Sequence, residues 1–121
     1  MNDLFTISMK TGGQWLVTSI SDANIFCRES FSSEHKDIED LINDFAKNRL
    51  YPNIESIDKL DKDLSLSIMK EMGELGLIGI DTPEKFGGTE LDKITSCIIT
   101  EGVSRGGSAS FSTTFGVQTG I

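Results

Sequence analysis

Three stretches of the chain place apolar residues at the spacing of a helix face. In the first, Ile38, Leu41, Ile42, Phe45, Ala46 and Leu50 recur at i, i+3, i+4 and i+7, opposite Lys36, Glu39, Asp40, Asn43, Asp44 and Lys47. Ser32 or Ser33 supplies an N-cap, and Glu34 and Asp37 put negative charge in the first turns, where the helix dipole favours it. Pro52 must kink or end this helix, yet Ile54, Ile57 and Leu60 continue the series. The pattern therefore predicts helix over Ser33–Lys59 with a break at the proline. The second stretch, Ile68, Met69, Met72 and Leu75, predicts a helix over Asp63–Leu75, capped by Asp61 or Asp63. Gly76 stands where it stops, free to take the left-handed conformation that closes a helix.

The third stretch, with Leu91, Ile94, Thr95, Cys97, Ile98 and Ile99, predicts a helix over Leu91–Arg105 with a broad buried face. Thr89-x-x-Asp92 reads as its capping box, Cys97 as a small buried hydrophobe, and Gly102 as a point of fraying. A final stretch, Ser108–Ile121, is dense in Ser, Thr and Gly and carries Phe111 and Phe115 one helical turn apart. The expected fold is all-α, a bundle of three to four main helices over residues 33–121. An extended arm of residues 1–32 precedes it, in which Gln14–Ile20, with Trp15, is rich in β-formers and suits a short strand or an extended run.

Composition narrows the class. The 121 residues suffice for one core and are 37% hydrophobic and 25% charged, as in ordinary globular proteins. A net charge of −8 disfavours nucleic acid and anionic membrane as partners. Cys27 and Cys97 lie seventy positions apart without metal or redox-motif spacing, which suits a reduced, intracellular (cytoplasmic) protein. Met1–Lys10 lacks the basic-then-apolar order of a secretory signal, and no apolar run has membrane-spanning length. The stop at Gly120-Ile121, inside a structured pattern, reads as a cut within a longer protein.

No catalytic constellation is visible. The single histidine, His35, sits in a polar first turn and reads as a surface residue; Glu101 reads as an ion-pair partner of Arg105 at i+4. The 102–107 region has neither the lysine nor the strand-before, helix-after setting of a phosphate-cradling loop. Small residues in 111–121 admit the close approach of another helix or of a ligand, and both readings stay open.

The order of punctuation at the end of the second helix adds more. Glu74-Leu75-Gly76-Leu77-Ile78-Gly79-Ile80, two residues, then Pro83-Glu84-Lys85-Phe86-Gly87-Gly88 resembles the signature of the amino-terminal helical domain of acyl-CoA dehydrogenases. There a Glu-Leu-Gly-Leu helix end leads into a Pro-Glu-x-Tyr/Phe-Gly-Gly turn. The resemblance covers residues 31–121, and the leader before it is similar to that of very-long-chain-type members. It departs at Gly102, where members often carry a second acidic residue after the equivalent of Glu101.

The resemblance implies a three-domain enzyme that oxidises acyl-CoA thioesters to 2-enoyl-CoA. FAD would be held by middle and C-terminal domains outside this chain, so the chain alone is expected to be inactive and to bind no flavin. An electron-transfer acceptor and a homo-oligomer are implied for the complete protein. The helical domain would wall part of the acyl pocket, and by position Phe111, Thr114, Phe115, Gln118 and Thr119 are the candidate substrate-binding residues, with no catalytic, cofactor-binding or metal residues in this chain. An acyl-CoA oxidase relative, or a non-catalytic helical interaction module derived from the family, is the alternative.

Overall fold

The computed structural model describes residues 16, 17, 19 and 26–119, with side chains in the last helix as far as Gly116. The chain divides between Phe31 and Ser32 into two units. In the first, a 3-10 turn over Arg28–Ser30 precedes Phe31, whose ring lies 5.9 Å from that of Phe26 and 5.7 Å from the Arg28 guanidinium carbon. The short strand or extended run expected at Gln14–Ile20, Trp15 included, lies largely outside the described residues.

The second unit is helical, and no strand occurs among the described residues. Helix α1, Ser33–Phe45, is capped by Ser32, whose hydroxyl accepts from the His35 amide. The helix then widens into a π-helical turn, Ala46–Leu50, and a 3-10 turn, Tyr51–Asn53, before the short α2, Ile54–Asp58. The single kinked helix expected over Ser33–Lys59 is thus four pieces. Proline at 52 has no N–H to donate, and its ring needs room beside the carbonyl four residues earlier. The widened turn provides that room, and Asn53 Nδ2 donates to the Arg49 carbonyl at 2.8 Å. Beyond α2, Leu60 takes a left-handed conformation (φ 65°) that turns the chain toward α3.

Helix α3, Lys62–Glu74, is capped by Asp61, which accepts from the Leu64 amide, and Gly76 closes it at φ 72° as the sequence suggests. The segment that follows folds on itself. Leu91 N donates to Ile80 O (2.7 Å), Glu90 N to Thr82 O (3.0 Å) and Thr89 N to Gly79 O (3.2 Å). This pairing keeps Leu91 out of helix α4, which spans Lys93–Arg105 instead of beginning at Leu91. Asp92 is itself the N-cap, so Thr89 does not form the expected capping box. Helix α5 spans Ala109–Thr119. No helix among the described residues is long and apolar enough to cross a membrane.

The core runs between α1 and α4, which share the most extensive packing of any helix pair. Ile42, Phe45, Ala46 and Leu50 meet Ile98, Ile99 and Val103, with Ile57, Ile68, Met72, Leu77 and Ile80 completing the interior. Gly102 does not fray α4. It is buried, and a Cβ there would stand 2.5 Å from Ile42 Cγ1, so glycine is what lets the two helices approach. Cys97, expected inside, faces outward on α4.

His35 also departs from expectation, being 9% exposed. Its Nδ1 accepts from the Ser32 amide at 3.2 Å, which leaves the hydrogen on Nε2, 2.9 Å from Asp92 Oδ2. His35 therefore completes the capping box of α1 and reaches the N-cap of α4. Asp92 Oδ1 in turn accepts from the Thr95 amide and hydroxyl at 2.8 and 2.9 Å. Burial alone would raise the Asp92 carboxyl, but the hydrogen bonds from Thr95 and His35 outweigh it and hold the group below its ordinary value.

A bidentate pair ties the π-helical turn to α3. Arg49 Nε and Nη2 donate to Glu71 Oε2 and Oε1 at 2.6 and 2.5 Å.

Two outcomes follow from this packing. Replacing Gly102 with alanine adds a methyl group where Ile42 already lies. The overpacking, about 1–3 kcal/mol, should exceed the roughly 1 kcal/mol that alanine gains in helix propensity. Chemical denaturation should show a lowered midpoint, and an unchanged or raised one would contradict the close-approach reading. The hydrogen bonds from Arg49 hold the Glu71 carboxyl below its ordinary 4.5. The folded state thus binds the Glu71 proton less readily than the unfolded chain, so this contribution is complete above about pH 4.5 and is lost as pH falls through the depressed value. Glu71→Gln should flatten the acid limb of the stability–pH curve; an identical limb would refute the assignment.

Candidate functional site

Helix α5 and the 77–91 segment together build a region with features of a ligand wall. Small hydroxylated residues are mediocre helix formers, so α5 depends on what fixes its start. Ser108, buried, accepts the Phe111 amide on Oγ at 3.1 Å and donates the hydroxyl hydrogen to Asp58 Oδ1 at 2.6 Å. Farther along, Ser112 and Thr114 turn their hydroxyls back onto the carbonyls of Ser108 and Ser110, each at 2.9 Å.

The structure separates the candidate wall residues. Phe111 and Phe115 point inward, 1% and 2% exposed. Phe115 borders a cavity of 170 Å³ closed on one side by the Leu77–Thr82 segment and on the other by Ser96, Ile99 and Thr100 of α4. Thr114 is exposed on a different face, and with Ser110 it borders a groove of 410 Å³ against Ile57, Leu60, Leu66 and Met69. Gln118 lies on α5, and with Thr119 its side chain falls outside the described residues. The five candidates therefore do not form one cluster: two fill the interior and one faces outward.

Sequence reading did not single out the Ser96 and Thr100 hydroxyls, which line the cavity from α4. Their signal is two hydroxylated residues at i, i+4 beside the apolar Ile98 and Ile99. Asp81 stands at the same cavity, its carboxyl held below the ordinary value chiefly by a hydrogen bond from Lys93.

Glu101 pairs with Arg105, whose guanidinium also lies 4.0 Å from Glu39, so it is bound into a surface ion-pair group. Among the described residues no group of His, Cys, Asp and Glu could hold a metal ion. What the arrangement offers is shape: two buried aromatic rings on one helix and a small hydroxyl-edged cavity beside one of them.

Comparison with known proteins places this helical domain in a family. Residues 32–121 match the family model described as acyl-CoA dehydrogenase, N-terminal domain, and the chain belongs to that family. A Bacillus subtilis (strain 168) protein named "Probable acyl-CoA dehydrogenase" is 38% identical over 113 residues, 93% of this chain and 19% of that protein. The human mitochondrial short-chain specific acyl-CoA dehydrogenase is 36% identical over 72 residues, 60% of this chain and 17% of that protein. Among solved structures, an acyl-CoA dehydrogenase from Bacillus anthracis complexed with FAD is similar with a TM-score of 0.78 and 44% identity, over 87% of this chain and 18% of that chain. The chain spans under a fifth of the length of these two bacterial relatives.

Phe111 should behave as a core residue whatever else it does. Truncating a buried phenylalanine costs about 3–5 kcal/mol, so Phe111→Ala should unfold at clearly lower denaturant concentration. A change below about 1 kcal/mol would place the ring outside the core.

Proposed function

We propose that this chain is the amino-terminal domain of an FAD-dependent acyl-CoA dehydrogenase and that α5 forms one wall of its acyl pocket. The observation that carries the reading is the likeness, at 44% identity, to an acyl-CoA dehydrogenase solved with FAD. In the complete enzyme a glutamate outside this chain takes the α-proton of the thioester. The β-carbon hydride goes to the flavin, and the C–C single bond becomes the 2-enoyl double bond. An electron-transfer acceptor then reoxidises the flavin. The middle and C-terminal domains hold FAD, so the 121-residue chain alone binds none.

Within this reading residues 33–121 are the domain and residues 1–32 an arm before it. The enzyme is a cytoplasmic homo-oligomer. Phe111, Thr114, Phe115, Gln118 and Thr119 serve the acyl chain. Phe111 and Phe115 do so from behind the wall, as the bulk that limits pocket depth, because both rings are buried. Such a depth limit favours short acyl groups. The support is the two buried rings, together with relatives named as short-chain specific or isovaleryl-CoA dehydrogenases.

A gentle truncation tests the wall. An apolar slot discriminates by about 1–3 kcal/mol per methylene, so Phe115→Leu in the complete enzyme should shift kcat/KM toward longer acyl-CoA substrates. Flavin content should stay normal. An unchanged chain-length profile in a flavin-replete variant would make Phe115 ordinary core and remove the wall assignment.

A further inference from the structure

We infer that Asp58 is a positioning residue that sets where helix α5 lies, and through it the shape of the acyl slot; this rests on the reading of α5 as a pocket wall. Asp58 ends α2, fifty residues before Ser108, and is not adjacent to the proposed wall in sequence. Its Oδ1 takes the hydroxyl hydrogen of buried Ser108 at 2.6 Å. That orients the hydroxyl so that its oxygen accepts the Phe111 amide at 3.1 Å. Carboxylate, hydroxyl and amide form one chain running from α2 into the first turn of α5. An ordinary N-cap would need only the hydroxyl; the carboxylate adds a fixed external anchor.

The backbone ahead of the cap is seated on the same part of the molecule. A Cβ at Gly106 would stand 2.5 Å from Leu50 Cδ1, so the 106–108 turn lies against the end of the π-helical turn. Past its first turn, α5 has open volume on two sides. The 410 Å³ groove runs along Ser110 and Thr114, and the 170 Å³ cavity lies beside Phe115. Close packing would otherwise hold a helix in place along its length. Here close packing holds one face, through Phe111 and Phe115, and the anchored end sets the direction in which the helix leaves its cap. From Ser108 to Phe115 the helix rises about 10 Å at 1.5 Å per residue, so a small tilt at the cap is carried into a larger displacement of the Phe115 ring.

A purely stabilising cap and a positioning cap predict different things. Asp58→Ala, Ser108→Ala, the double variant and Asp58→Asn are made in the complete flavoenzyme beside Phe115→Leu. For each, the ratio of kcat/KM for a long and a short acyl-CoA is measured per bound flavin, well below the unfolding temperature, with hydrogen exchange followed in peptides covering α5. Asp58→Ala and Ser108→Ala should each change the ratio by about threefold or more. The double variant should change it no further, because both residues act through one chain of hydrogen bonds. Asp58→Asn, whose amide oxygen can still accept the hydroxyl hydrogen, should keep the original ratio. Exchange in α5 should rise in the alanine variants. A cap that only stabilises would lower the melting temperature and leave the ratio alone. An unchanged ratio in Asp58→Ala, where Phe115→Leu does shift it, overturns the inference and spares the wall. If Phe115→Leu also has no effect, the wall assignment falls and the inference, which rests on it, falls with it.

Discussion

Everything in this domain depends on how closely α1 and α4 can lie. Ile42 on one occupies the space that a side chain at residue 102 of the other would need. That contact brings Phe45, Ala46, Ile98, Ile99 and Val103 into a single interior, and the burial of those side chains is the main term favouring the fold. The same pair is held at its N-terminal ends by His35 and Asp92, each capping its own helix while bonded to the other. Close approach toward the C-terminal ends and a polar tie at the N-terminal ends fix the two helices against sliding as well as separation. The placement of α5 follows, because the turn that starts it leaves the end of α4 and lands on Leu50.

Much of this was legible in the chain. The period of the apolar residues gives α3 and α4 to within about two positions and the start of α1, and Ser32, Asp61 and Gly76 cap or close them as their chemistry suggests. What could not be read depends on partners distant in sequence. His35 looks like a surface residue until Asp92, fifty-seven positions away, is brought to it. Gly102 looks like a weak point because helix propensity knows nothing of Ile42. Cys97 shares the apolar run of α4 but falls on its outer side, a matter of which side the rest of the chain covers. The break at Pro52 was foreseeable, but the π-helical turn before it was not, since nothing local separates a widened turn from an ordinary one.

The candidate wall was legible in part. The sequence points to α5, and resemblance to a known family supplied the rest. Neither could say that Phe111 and Phe115 turn inward while Thr114 turns out, since that depends on how α5 is rotated about its axis. Nor could the 108–58 hydrogen bond be seen, although a serine before a helix is an ordinary capping signal.

The π-helical turn over Ala46–Leu50 bears on how this chain tolerates changes in length. A π turn holds one residue more than the α turn it replaces, as a single inserted residue would leave behind. Removing one of the outward-facing residues, Lys47 or Asn48, would let that turn tighten to α-helical form, so the local backbone has a ready answer to the loss. The turn would still carry the helix through one revolution, now with one residue fewer, so the two flanks would keep their rotation, His35 still facing Asp92 and Ile42 still facing Gly102. The bulge is therefore a point where this helix can give up one residue and hold its contacts on both sides.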